Sequence, residues 1–364
     1  MRSALRPTRT MSDPGYSRRR FLNSAAAVSA GMALTEWALP MRGGGEQRDA
    51  STSEPGAIPR RKFGRHSDQV SILGIGGHHL GSAASVEDAT TILHEAVDNG
   101  INFCDNAWEY NDHRSEEWMG LALKGGYRDK VFLMTKVCTH GRDGSVAMQM
   151  LEESLGRLGT DHLDLWQIHA VVYDNDPDLA YRKGGVIEAL DRAKQQGKVR
   201  YVGYTGHKDP RIHKRMIDMG YTWDSVQFPI NAFDAQFRSF QQIVLPEAVK
   251  RGIAVLGMKP LNGDGGPFHH AEVKLTAEQA LRYAMSVPGV TTTITGMESL
   301  AVLRQNLALA KGFQPMNETE MQQIVASVQT VAGDGRFETY KTSLRYDDIV
   351  TRQMHEQPLK GAHS

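Results

Sequence analysis

The chain has 364 residues, enough for one large domain of about 250 residues and a leader. Lys plus Arg and Asp plus Glu both number 42, so the formal charge is zero and no basic footprint for DNA or RNA is present. No apolar run reaches the roughly 20 residues of a spanning helix, so no stable membrane span is expected in the mature protein.

In chain order, Ser17-Arg18-Arg19-Arg20-Phe21-Leu22-Asn23 comes first and matches the twin-arginine export pattern S-R-R-x-F-L-x. The alanine-rich stretch 24–34 follows. A basic region and then a short apolar region is the layout of a signal peptide. Residues 1–41 are therefore read as a leader for the twin-arginine machinery, with the periplasm or cell envelope as destination. No A-x-A cleavage site stands out, so removal and retention as an anchor both stay open. Residues 42–59, rich in Gly, Ser, Glu and Pro, read as a flexible linker.

From residue 71 onward, eight short apolar runs alternate with helical patterns: 71–75, 101–107, 131–137, 163–169, 199–205, 225–231, 253–261 and 291–296. The first three begin thirty residues apart, the size of a βαβ unit. Near-continuous apolar strands belong to a parallel sheet covered on both faces. Two helices read clearly, over 88–97 and from Val186. They stop at Asn99-Gly100 and Gln196-Gly197, with glycine just past the last periodic residue. The expected fold is a (β/α)8 TIM barrel over 60–315, with 316–364 as a C-terminal helix and tail packed on it. An open doubly wound sheet would carry G-x-G-x-x-G after its first strand. Gly74, Gly76, Gly77 and Gly81 lack that spacing and read as a tight turn. Cys104 and Cys138, the only cysteines, lie in apolar runs without metal-ligand spacing. They read as buried free thiols, with a disulfide as the alternative in an oxidising compartment if their Cα atoms lie close, and no metal site is expected.

Parallel barrel strands end at one face, where active sites lie. Asp105, Lys136 and His169 stand at the ends of the second, third and fourth runs. Strands about 4.8 Å apart would bring them together. Tyr110, five residues beyond Asp105, can fold back over the opening. Singly, each has a structural explanation: a helix cap, a surface lysine, a core histidine, a loop aromatic. Together they make a coherent set. A nearby ammonium, Lys136, would lower the phenol of Tyr110 from about 10. Asp105 would hold Lys136 charged, and His169 would donate to a carbonyl oxygen. Tyr110 would protonate that oxygen as a hydride arrives from a nicotinamide.

Over about residues 60 to 315 the chain resembles the aldo-keto reductase family. The resemblance rests on Asp105-Asn106-Ala107-Trp108-Glu109-Tyr110, Met134-Thr135-Lys136 and Gln167-Ile168-His169. It implies reduction of aldehydes or ketones to alcohols by NADPH or NADH, without metal. Gly203-Tyr204-Thr205-Gly206-His207 is similar to the family's G-x-S-N segment. Thr205 would replace the serine, whereas Gly206 cannot replace the asparagine amide. Gln227 matches the carboxamide-binding glutamine. Met258, followed by Pro260 and Leu261, falls where the family stacks an aromatic on the nicotinamide; barrel filling is its alternative. Gly296, Glu298 and Asn306 resemble the adenosine-phosphate loop, with a helix beginning near Ser299. A carboxylate at Glu298 would repel a 2′-phosphate and tilts the expectation towards NADH.

The insertions 170–185 and 262–274 and the residues His78, Trp108 and Tyr173 are expected to shape the substrate pocket. The pairs His78-His79 and His269-His270 do not have metal geometry by themselves. Two competing functions remain in view. A non-catalytic nicotinamide-binding sensor or regulatory barrel would not need Tyr110 together with Lys136. A barrel glycosidase would need a carboxylate partner for Asp105, and none stands out.

Overall fold

In the computed structural model the described residues are 56–138, 142–263, 266–343, 346 and 354–355. The twin-arginine stretch and most of the expected linker lie outside them. The chain is already packed at residues 57–59, however. Ile58 is buried, Pro59 accepts from the Ile72 amide, and Ala57 accepts from Gly312. The packed region thus begins a few residues before position 60.

A hairpin comes first: β1 (Arg60–Lys62) pairs antiparallel with β2 (Gln69–Ser71). Eight parallel strands then close a barrel: β3 (Leu73–Gly76), β4 (Phe103–Asp105), β5 (Phe132–Val137), β6 (Leu163–Ile168), β7 (Val199–Thr205), β8 (Ser225–Pro229), β9 (Ala254–Met258) and β10 (Val290–Thr295). β10 pairs with β3 to complete the ring, so this is a (β/α)8 TIM barrel. Each expected run supplies one barrel strand. The first run is split, because Ser71 ends the hairpin and the barrel begins at Leu73. Ser71 causes the break: its hydroxyl donates to Leu73 O, and its amide donates to the Asn102 side chain.

The helices are α1 (Gly77–Leu80), α2 (Val86–Asp98), α3 (Arg114–Ala122), α4 (Gly144–Leu158), α5 (Asp176–Tyr181), α6 (Val186–Gln195), α7 (Pro210–Asp218), α8 (Phe240–Ile243), α9 (Leu245–Lys250), α10 (Ala277–Ser286), α11 (Leu300–Ala310), α12 (Glu318–Ala332) and α13 (Thr339–Thr342). In α2, Ser85 accepts from the Asp88 amide at the start, and Ala89, Ile92, Leu93, Ala96 and Val97 face the barrel. Gly100 at φ 102° and Gly197 at φ 70° lie just beyond α2 and α6, where a side chain would be strained. α12 starts in a capping box of Asn317 and Glu320 and buries Ile324, Val328 and Val331.

Two of the four glycines expected in a tight turn, Gly77 and Gly81, bracket the single turn of α1, which is closed by Gly81 N donating to Gly77 O. Gly74 and Gly76 lie in β3, and Gly77 opens α1. Their reason is close approach. A Cβ on Gly77 would stand 2.4 Å from Asp105 O, and one on Gly81 would stand 2.6 Å from the Asn111 side chain.

Inside the barrel, Phe103, Phe132, Met134, Leu165, Leu256 and Ile294 form an apolar plug. Phe63, between the hairpin strands, seals it from below, its ring 4.8 Å from Phe132. Side chains alternate along a strand. One or two pleats above this plug, the same inward rows therefore carry Asp105, Lys136, Gln167 and Gln227. The described residues include no helix long and apolar enough to cross a membrane. Neither cysteine is in a disulfide. Cys104 is buried, and burial pushes its thiol up to about 12. Cys138 is only half-buried, because it follows β5 at the barrel mouth.

Candidate active site

β4 and β5 deliver the first pair. Asp105 ends β4, and Lys136 is the penultimate residue of β5; both are buried. The Lys136 ammonium donates to Asp105 Oδ1 at 2.5 Å, to Asn106 O at 2.7 Å and to the Tyr110 hydroxyl at 3.1 Å. An ammonium has three protons, and all three are used. Burial pulls the Lys136 pKa below its ordinary value, while Asp105 works against the shift.

Tyr110 arrives on the loop after β4. Asn111, Asp112 and His113, which follow it, all have positive φ, so the chain turns sharply back before α3. The Tyr110 ring lies 5.6 Å from His169 and 5.4 Å from His78, edge-on in both cases. Its acidity differs from the sequence expectation. Burial, reinforced by Asp105 and Glu109, pushes the phenol well above its ordinary value. The burial cost of a phenolate outweighs the nearby ammonium, so Tyr110 is held protonated, as a proton donor must be. Lys136 lies close enough to act on the phenolate once the proton has left.

His169 follows β6, fixed by its amide to Val137 O. The buried Arg142 donates to the carbonyls of His169 and Ala170 and pairs with Asp176 at 2.7 Å. His169 Nδ1 lies 2.7 Å from Glu109 Oε1, off the line of a hydrogen bond. Partial desolvation raises the Glu109 carboxyl, but His169, with the Cys138 thiol and the Lys136 charge adding to it, more than reverses this and brings it to about 2. Glu109 and Arg142 had no role in the sequence reading, and Asp176 entered it only as part of the insertion 170–185 expected to shape the pocket. For Glu109 the available signal was its place between Trp108 and Tyr110.

The expected cofactor residues form two groups. Thr205 ends β7 and pairs in register with Gln227 of β8. Thr205 Oγ1 and Gln227 Nε2 both turn towards Met258 Sδ, at 4.0 and 3.9 Å. Gln227 Oε1 is buried without a partner. Pro260 and Leu261 lie in the turn after β9, where Asn262 N donates to Lys259 O. In the second group Asn306 of α11 donates to Gly296 O at 3.4 Å, and Ser299 caps α11. Glu298 is exposed beside that cap.

The expected pocket residues separate. His78 is exposed beside Tyr110. Trp108 instead donates its indole N–H to Glu153 on α4, with Arg157 over its ring, so it braces the loop. Tyr173 is buried 4.9 Å from the His355 ring. In the second insertion, Asn262 donates to Phe337 O ahead of α13. No group of three or more metal-ligating side chains occurs among the described residues.

The profile of the Aldo/keto reductase family matches residues 72–274. The chain belongs to that family. This aldo-keto reductase is 27% identical over 288 residues to an uncharacterised oxidoreductase, YqkF, of Bacillus subtilis, covering 69% of this chain and 90% of that one. It is 23% identical to the L-galactose dehydrogenase of Arabidopsis thaliana, covering 75% of this chain and 95% of the plant enzyme. The structure of an aldo-keto reductase from Bacillus halodurans in its holo form has the same fold, with a TM-score of 0.62 and 24% identity over 74% of this chain and 96% of that one. Family and relatives make it an NAD(P)H-dependent oxidoreductase that reduces carbonyls.

The residues present fit a nicotinamide. A carboxamide offers one acceptor and two donors, and Gln227 Oε1 is a buried acceptor without a donor. Among the described residues the Thr205 hydroxyl and the Gln227 amide group meet only the sulfur of Met258, a soft neighbour that leaves their stronger hydrogen-bonding capacity unspent. Gly206 also has its explanation. A Cβ there would stand 2.3 Å from Val171 O and 2.6 Å from His213, so no asparagine fits. The missing amide is a steric consequence of packing between the β6 and β7 loops.

Proposed function

We propose that this aldo-keto reductase reduces an aldehyde or ketone with Tyr110 as general acid, Lys136 and Asp105 as its supporting ion pair, and His169 as donor to the carbonyl oxygen. The observation that carries the reading is Lys136 Nζ, bonded at once to Asp105 and to the Tyr110 hydroxyl. Tyr110 transfers its phenolic proton to the substrate oxygen. Lys136, itself buried, then stabilises the phenolate at short range. Reduced nicotinamide supplies the hydride to the carbonyl carbon. Thr205 and Gln227 bind its carboxamide, and Asn306 and the start of α11 bind the adenosine end.

The exposed Glu298 beside α11 favours NADH, because its carboxylate repels a 2′-phosphate and accepts from a ribose diol. The plant relative's action on L-galactose makes hydroxylated carbonyl compounds the first substrates to try. The Ser17–Asn23 motif supports twin-arginine export to the periplasm or cell envelope. Replacing Arg18 and Arg19 by lysine in a leader–reporter fusion should abolish that export; unchanged export rejects it.

The decisive experiment is a panel of sugar-derived, aliphatic and aromatic carbonyls with NADH and with NADPH, followed by the absorbance of the reduced cofactor. Tyr110→Phe should keep cofactor binding and lose on the order of 100- to 10,000-fold in kcat. Unchanged reduction by that variant rejects the assignment. Equal kcat/KM with both cofactors removes the NADH preference.

A further inference from the structure

Glu109 is a charged residue inside the catalytic loop that the steps above leave unused. Its carboxylate is 41% exposed, yet it stands 2.7 Å from Nδ1 of a histidine whose side chain is only 13% exposed. A carboxylate oxygen and a bare ring nitrogen are both acceptors and repel at that distance, so Nδ1 carries a proton. In a neutral ring Nε2 is then a lone pair, which can accept from an alcohol but cannot donate to a carbonyl. Nε2 donates only when the ring is doubly protonated.

We propose that Glu109 is a positioning residue for His169, holding its ring doubly protonated so that Nε2–H is presented to the substrate oxygen during reduction. The inference rests on the reading of Tyr110 and His169 given above and assigns the group that sets the direction of the His169 hydrogen bond. The surroundings of the pair are few. From the β4 loop come Glu109 and Tyr110. From β5 and its continuation come Lys136, which acts on Glu109 by charge, and Cys138, whose thiol bonds the Glu109 carboxylate. Arg142 reaches only the His169 carbonyl, and its charge is matched by Asp176. His207, after β7, feels the His169 charge, but burial holds it neutral, well below its ordinary value. Glu109 is thus the one carboxylate paired with the ring among the described residues. It stays ionised across the working range, since its carboxyl titrates at about 2.

The test is nitrogen-15 NMR of the histidine side chains in the full-length protein, with His169 assigned from its loss in His169→Gln. The wild type should lose its Nε2 proton at a pH about one to three units above that of Glu109→Gln. Glu109→Asp, which keeps the charge on a shorter arm, should fall between them. In parallel, kcat for carbonyl reduction by Glu109→Gln should drop about tenfold at pH 8 and recover as the pH is lowered, with cofactor Kd unchanged. Coincident titrations in wild type and Glu109→Gln, or superimposable kcat profiles, overturn the proposal. A displaced titration in a wild-type protein that turns over no carbonyl rejects the reductase reading and leaves the protonation role of Glu109 standing.

Discussion

Lys136 is the residue on which the site turns, because its three protons tie together a carboxylate, a main-chain carbonyl and the phenol of Tyr110. Lys136→Met should therefore fail in two ways. The buried Asp105 would lose its counter-charge, at a cost of about 3–5 kcal/mol, visible as a lower Tm. Reduction would fall at least 100-fold in kcat. A variant with native Tm would show that the pair is not structural. Gly206 gives a second residue-scale prediction. Gly206→Asn should restore nothing, because the clash with Val171 O must be relieved by moving the β7 loop. Loss of about 1–3 kcal/mol is expected, together with weaker cofactor binding by fluorescence titration; tighter binding would contradict the steric account. At this scale the sequence was legible wherever a residue's function follows from its place on a strand. Asp105, Lys136 and His169 stand at strand ends, and their meeting needs only parallel pairing. Glu109 and the raised pKa of Tyr110 depend on which atoms surround them, and spacing does not encode that.

Strands and helices were readable for a simple reason: nearly all barrel-strand residues are buried whichever face they point to, and the long helices have an apolar stripe ended by a cap. The short elements were not. The hairpin of β1 and β2 has only three residues per strand, so it leaves too little alternation to see, and α13 is four residues long. Yet α13 carries a buried ion cluster. Lys341 donates to Asp234 Oδ1 at 2.6 Å and pairs with Glu338 at 2.7 Å, so two carboxylates share one ammonium. Burial, with Asp234 adding to it and Lys341 opposing it, raises the Glu338 carboxyl to about 7. The folded state therefore holds this proton more tightly than the unfolded chain, whose glutamate titrates near 4.5. The stabilisation from this group is complete below about pH 4.5 and is lost as pH rises through 7. Glu338→Gln removes the proton exchange. The Tm of the wild type should fall relative to Glu338→Gln between pH 5 and pH 8 in thermal melts; a constant difference across that range would contradict the linkage.

In the whole molecule the barrel separates stability from chemistry along its axis. Below the mouth, Phe63 closes the interior against Phe132 and Tyr201, with ring centroids 4.8 and 5.2 Å away. Phe63→Ala should cost about 3–5 kcal/mol, measured by denaturant unfolding. Because Phe63 touches none of the mouth residues, kcat well below Tm should stay within twofold of wild type; a large loss of kcat would mean that the two ends are coupled. The sequence by itself determined the number of strand–helix units, their order and the strand ends at which Asp105, Lys136, His169 and Thr205 stand. These follow from local periodicity and from the rule that parallel strands end together. Only the tertiary structure decided that glycines 76, 77, 81 and 206 are required by contact, that Trp108 braces the loop, and that Glu109 faces His169. Those facts arise where loops from different units meet, and a contact between segments far apart in the chain leaves no period in either of them.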